Sequence, residues 1–144
     1  MMDVRVIESK NREETYKLGI ELGREAKAGD IFAVSGDLGA GKTVLAKGMA
    51  KGLGYVGVVN SPTFTVMQEY IGGRLDFYHF DTYRIEEAEE MYELDYEEYF
   101  FGKGVCFIEW PGQIDELIPE GAVKISMEYD RPDDMEHRRI TIER

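Results

Sequence analysis

A chain of 144 residues fits one domain with a core of its own, because a domain near this size buries roughly 70% of the surface its unfolded chain exposes. The formal net charge of −12 argues against direct nucleic-acid binding, which needs a basic face, but not against a bound nucleotide, since charge beyond about 8 Å is screened. The single cysteine, Cys106, rules out a disulfide or a cysteine metal cluster within the chain and reads as a buried structural thiol.

The opening segment MMDVRVIESK is too polar for a signal peptide, and no apolar run approaches the roughly 18 residues of a membrane span. A cytoplasmic protein is expected. Residues 4–8 read as a short strand. Residues 12–26 carry Tyr16, Leu18, Ile20 and Leu22 among mixed charges and read as a helix, with Ser9 or Asn11 to cap it and Gly29 beyond its end. Residues 31–34 form an apolar strand, and residues 44–53 a helix that stops at Gly52 and Gly54. A short apolar stretch, 55–59, leads to Ser61, Pro62 and Thr63, where Pro62 forbids regular continuation. Residues 64–70 and 74–80 flank Gly72 and Gly73 as the two strands of a hairpin. Residues 86–98 hold eight acids and no base. They predict one or two short helices with Met91, Leu94, Tyr99 and Phe100 turned to the core and a solvated acidic face, or a docking face for a basic partner. Residues 105–108 show no alternation, as in a strand buried on both faces. Pro111–Leu117 reads as a short helix, and 122–129 and Arg138–Glu143 as closing strands. Strands interleaved with helices place the chain in the α/β class.

The chemistry concentrates between the first apolar strand and its helix, where residues 36–43 read GDLGAGKT. A strand, a glycine-rich turn and a helix N-terminus aim backbone N–H groups and a positive dipole end at one point, which suits nucleotide phosphates. Gly36, Gly39 and Gly41 let the backbone approach the phosphates, Lys42 reaches the β and γ oxygens, and the Thr43 hydroxyl is offered to Mg²⁺. Hydrolysis or transfer also needs acids that hold the metal and orient the attacking group. Asp81 and Glu109 each follow an apolar strand, and in open α/β sheets ligands bind at such carboxyl ends. Asp81 could instead cap the helix that follows, and Glu109 could be a plain surface acid. Thr63 lies in a turn that could order on a γ-phosphate or merely bond its own backbone beside Pro62. His79 and His137 have no His, Cys or acid at metal-ligand spacing, so His79 reads as a satisfied strand residue. No Asn-Lys-x-Asp element for guanine is present, the only asparagines being Asn11 and Asn60. A small-molecule kinase is the rival reading, with Arg131, Arg138 and Arg139 as candidates to cover a transferred phosphate.

GDLGAGKT, then SPTF at 61–64, HFDTYR at 79–84 and IEWP at 108–111, in that order and spacing, resemble the TsaE (YjeE) family of bacterial tRNA-modification ATPases over most of the chain. The resemblance implies a P-loop NTPase-like three-layer sandwich around a central, mostly parallel mixed sheet. It also implies a weak ATPase using ATP/ADP and Mg²⁺, required to make threonylcarbamoyladenosine beside the anticodon of tRNAs that read codons beginning with A. Its implied partners are TsaD, which performs the transfer, and TsaB, its scaffold, so that tRNA is met only through them. Carried over by position, Gly36, Asp37, Leu38, Gly39, Ala40, Gly41, Lys42 and Thr43 hold the phosphates, with Thr63 in a switch segment and Trp110 flanking the site. Thr43 with Glu109 or Asp81 handles Mg²⁺, and Lys42, Asp81 and Glu109 are the catalytic candidates. The C-terminal third matches loosely and leaves the adenine contacts unassigned.

Overall fold

The structure is a computed structural model that describes residues 3–36, 41–60, 62 and 66–144. Its strands are β1 (Val4–Ser9), β2 (Ile31–Gly36), β3 (Met67–Tyr70), β4 (Phe77–Asp81), β5 (Val105–Glu109), β6 (Val123–Glu128) and β7 (Arg138–Glu143). They form one sheet in the order β1-β7-β6-β2-β5-β4-β3. The four central strands, β6, β2, β5 and β4, run parallel, while β7 and β1 close one edge and β3 the other in antiparallel pairing. Burial explains the order. Every residue of β5 is buried, which an interior strand covered on both faces requires, whereas β1 is mostly exposed and tolerable only at an edge.

Two helices, α1 (Arg12–Glu25) and α2 (Lys42–Gly52), cover one face through Leu18, Leu22, Leu45 and Met49, packed with Phe32, Val34, Phe77 and Phe107. A 3₁₀ turn at Ala88–Leu94, α3 (Tyr96–Phe100) and a second 3₁₀ turn at Pro111–Leu117 cover the other, where Met91, Phe100 and Ile114 meet Ile31, Phe80, Cys106 and Ile108. The result is the expected three-layer sandwich around a mixed sheet. The two long helices touch backbone to backbone. A Cβ at Gly48 would lie 2.3 Å from the Tyr16 carbonyl oxygen and 2.9 Å from the Gly19 Cα, and one at Gly19 would lie 2.5 Å from the Leu45 oxygen. That seam, continued by Gly23 and Gly52, seats α2 and therefore Lys42 at its start.

Several expectations shift at element ends. Asn11 rather than Ser9 caps α1, accepting from the Glu14 N–H at 2.9 Å, while the Ser9 hydroxyl meets that of Thr15 at 2.7 Å. Helix α2 begins at Lys42, with Gly41 as its cap. The hairpin of β3 and β4 is present, but residues 74–76 are not strand, because Arg74 is used elsewhere. Its guanidinium donates to the Gly23, Arg24 and Ala26 carbonyls at 2.9, 3.2 and 2.9 Å, closing the C-terminus of α1, whose last carbonyls have no partner within the helix. Phe64 and Thr65 lie outside the described residues. In the acidic segment Met91 and Phe100 are buried as expected, Tyr96 is buried as well, and Leu94 and Tyr99 are only half-buried. All eight acids of that segment are exposed, and Glu90 accepts from the Glu86 and Glu87 N–H groups at 2.8 Å each. Those bonds hold its carboxyl below the usual range. Among the described residues no helix is long and apolar enough to cross a membrane.

Candidate functional site

Strand alternation selects the groups that face α2. Along β4, Phe77 packs in the cluster under α1 and α2, Phe80 packs in the opposite one, and His79 and Asp81 share the parity of Phe77. Along β5, Phe107 and Glu109 stand on that same side by the same rule. The register pairs His79 with Phe107 and Asp81 with Glu109, and Val34 with Glu109. The two acids expected at strand ends therefore emerge side by side, on the face that carries α2.

Lys42 opens α2 and is 5% exposed. Its Nζ donates to the Gly36 carbonyl at 3.1 Å and sits 4.2 Å from the centre of the Trp110 ring, a cation–π contact. Gly36 has φ 151° and Gly41 φ 98°, and a Cβ at Gly36 would lie 2.3 Å from the Met127 carbonyl oxygen. Glycine is thus required where the loop leaves β2. Thr43 is half-buried in the first turn of α2. Asp37, Leu38, Gly39, Ala40 and Thr63, all expected at the phosphates, lie outside the described residues.

Glu109 is 4% exposed and His79 fully buried, with His79 Nε2 2.5 Å from Glu109 Oε2. Asp81 is half-buried. Burial pushes its carboxyl above the usual range, the Tyr83 N–H donating to it opposes that shift, and the neighbouring charge of Glu109 adds to it. Asp81 and Glu109, adjacent through the register, offer carboxylate oxygens, the ligand type that Mg²⁺ takes.

The segment after Asp81, within the HFDTYR motif, is a scaffold to whose Thr82 and Tyr83 sequence reading assigns no role. The buried Thr82 hydroxyl reaches the Glu109 and Trp110 carbonyls at 3.0 and 2.7 Å, and Tyr83 packs its ring 5.0 Å from that of Trp110. Trp110 turns through a left-handed conformation, φ 60°, its N–H bonded to the Val34 oxygen at 3.2 Å. The motifs at 79–84 and 108–111 are thus tied to each other and to the loop strand. Their shared register in the sequence was the available signal.

Beside Gly41, a cleft of about 250 Å³ opens between Arg12 and Thr15 of α1, Val44 of α2, and Met135, Glu136 and Arg138 before and at the start of β7. Below it, His137 is 4% exposed, with Nδ1 2.6 Å from Asp130 and Nε2 3.3 Å from Glu8. Arg139 bridges the same two acids at 3.1 and 3.3 Å. Both histidines, without acids at metal-ligand spacing in the chain, acquire acidic partners through the sheet.

The family model for threonylcarbamoyl adenosine biosynthesis protein TsaE matches residues 9–140. The chain is 45% identical over 126 residues to the tRNA threonylcarbamoyladenosine biosynthesis protein TsaE of Bacillus subtilis, covering 88% of this chain and 78% of the relative. It is 39% identical to the protein of that name from Treponema pallidum, covering 83% and 87%. A crystal structure of YdiB from Bacillus subtilis superposes with TM-score 0.85 at 37% identity, covering 99% of this chain and 86% of that one. Match and superposition both run through the loop strand, the paired acids and the Trp110 turn, and the chain belongs to the TsaE family of tRNA threonylcarbamoyladenosine biosynthesis proteins.

Proposed function

We propose that the chain is a cytoplasmic, Mg²⁺-dependent ATPase of low intrinsic rate that supports threonylcarbamoyladenosine formation together with TsaD and TsaB. The observation that carries this reading is the convergence of Lys42 at the start of α2 with Asp81 and Glu109, register partners at the ends of β4 and β5. Lys42 neutralises the β and γ oxygens, and the backbone amides of α2's first turn add their dipoles. Thr43 with Asp81 or Glu109 would hold Mg²⁺, which when bound offsets the charge that develops on the phosphates. The cleft beside Gly41 seats the base and ribose, since it opens where the helix N-terminus meets α1. The kinase alternative is weakened by Arg139, which is already paired with Glu8 and Asp130 rather than presented to a transferred phosphate.

Titration calorimetry with ATP is expected to show affinity only with Mg²⁺ present. Lys42→Ala should weaken binding about 10- to 100-fold, the worth of a lost charge-assisted contact. Phosphate release should be slow alone and rise on adding TsaB and TsaD, and Glu109→Ala should spare binding more than turnover. No magnesium-dependent affinity, with or without the partners, would overturn the proposal. Phosphate appearing on a sugar or nucleoside would favour the kinase.

A further inference from the structure

We infer that His79 is a positioning residue: it donates its Nε2 hydrogen to Glu109 and thereby fixes which carboxylate oxygen is presented to the phosphate loop. The inference rests on the nucleotide-site reading of Glu109, but its structural part stands on the pair itself. His79 Nε2 and Glu109 Oε2 lie 2.5 Å apart, the imidazole fully buried and the glutamate 4% exposed. The imidazole is wedged beside Phe77 and Phe107, with centroids 6.3 and 5.2 Å away. Its other nitrogen, Nδ1, is buried with no hydrogen-bond partner.

That unpartnered nitrogen decides where the hydrogen sits. An N–H at Nδ1 would be buried without an acceptor, whereas the carboxylate that meets Nε2 can only accept. The hydrogen therefore belongs on Nε2, where the carboxylate accepts it. Glu109 Oε2 is then engaged, and Oε1 is the oxygen left for metal or water. A glutamate has three side-chain torsions, and this hydrogen bond adds a directional restraint to the packing that buries Glu109. Ligand-orienting partners of this kind typically change activity by about 10- to 100-fold when removed.

The test uses the full chain, which has two histidines and one tryptophan. Nitrogen-15 NMR of the nucleotide-free protein should show one ring as the Nε2–H tautomer, its proton far downfield, with that signal lost in Glu109→Ala. An Nδ1–H tautomer, or no response to Glu109→Ala, would overturn the inference whether or not the protein hydrolyses ATP. With partners present, His79→Leu should lower kcat about 10-fold or more while ATP affinity, read from Trp110 fluorescence, stays within about twofold. His79→Gln, whose amide reaches the Nε2 position, should restore most of the rate. His79→Leu should add nothing in a Glu109→Ala background. Equal losses in Leu and Gln variants, or additivity with Glu109→Ala, would reduce His79 to a core residue. Should His79→Leu fail to fold, His79→Gln and the tautomer decide the matter.

Discussion

Asp81 is held against its own preference. Burial, reinforced by the charge of Glu109, raises its pKa above the ordinary carboxylate value despite the Tyr83 N–H that opposes the shift. A carboxyl raised on folding contributes stability in its protonated form, fully present below the unfolded value and lost as pH rises through the folded one. At neutral pH the ionised group is therefore a cost, of the kind stored at functional sites. Asp81→Asn keeps the oxygen that accepts from Tyr83 and removes the charge. It should raise the melting temperature of the nucleotide-free protein and lower partner-stimulated turnover at least ~10-fold. Scanning calorimetry that found the variant less stable would remove the strain argument. Lys42, Asp81 and Glu109 were legible because a loop motif and two apolar strand ends identify them from short segments. The hydrogen bonds of Thr82 to Glu109 and Trp110 were not, because they join segments 27 and 28 residues apart.

At the level of elements, periodicity located most strands and helices within a few residues, and the errors have identifiable causes. Residues 74–76 have strand-like composition, but the Arg74 side chain is drawn to the open end of α1. Gly52 reads in the sequence as a stop signal, yet with Gly19, Gly23 and Gly48 it lines the α1–α2 seam, where any Cβ would meet backbone within 2.2 to 2.5 Å. Backbone cannot step aside as a side chain can. Gly48→Ala should therefore cost about 2–3 kcal/mol in urea unfolding, although alanine is the better helix former. Because the seam positions α2, ATP affinity should fall too. A neutral or stabilising Gly48→Ala would mean that the helices separate freely.

On the scale of the whole molecule, Cys106 reports on the integrity of the sheet. It lies in β5 between β2 and β4, is fully buried, and burial pushes its thiol up to about 12, so the reactive thiolate is scarce in the native state. A thiol reagent should label it only as fast as the core opens. Mg²⁺ with ATP at 100 times the dissociation constant should slow that labelling about 100-fold. Fast labelling, or labelling indifferent to nucleotide, would contradict a cooperative core linked to the proposed site. The sequence by itself determined the α/β class, the glycine loop, the two acids and the family resemblance, because each is written in contiguous residues whose types dictate backbone geometry or charge. Only the tertiary structure decided that Asp81 and Glu109 are register partners, that His79 backs Glu109, and that Lys42 rests against Trp110. Those relations depend on strand order and on which side of each strand a residue faces, and both are settled when distant segments pack into one sheet.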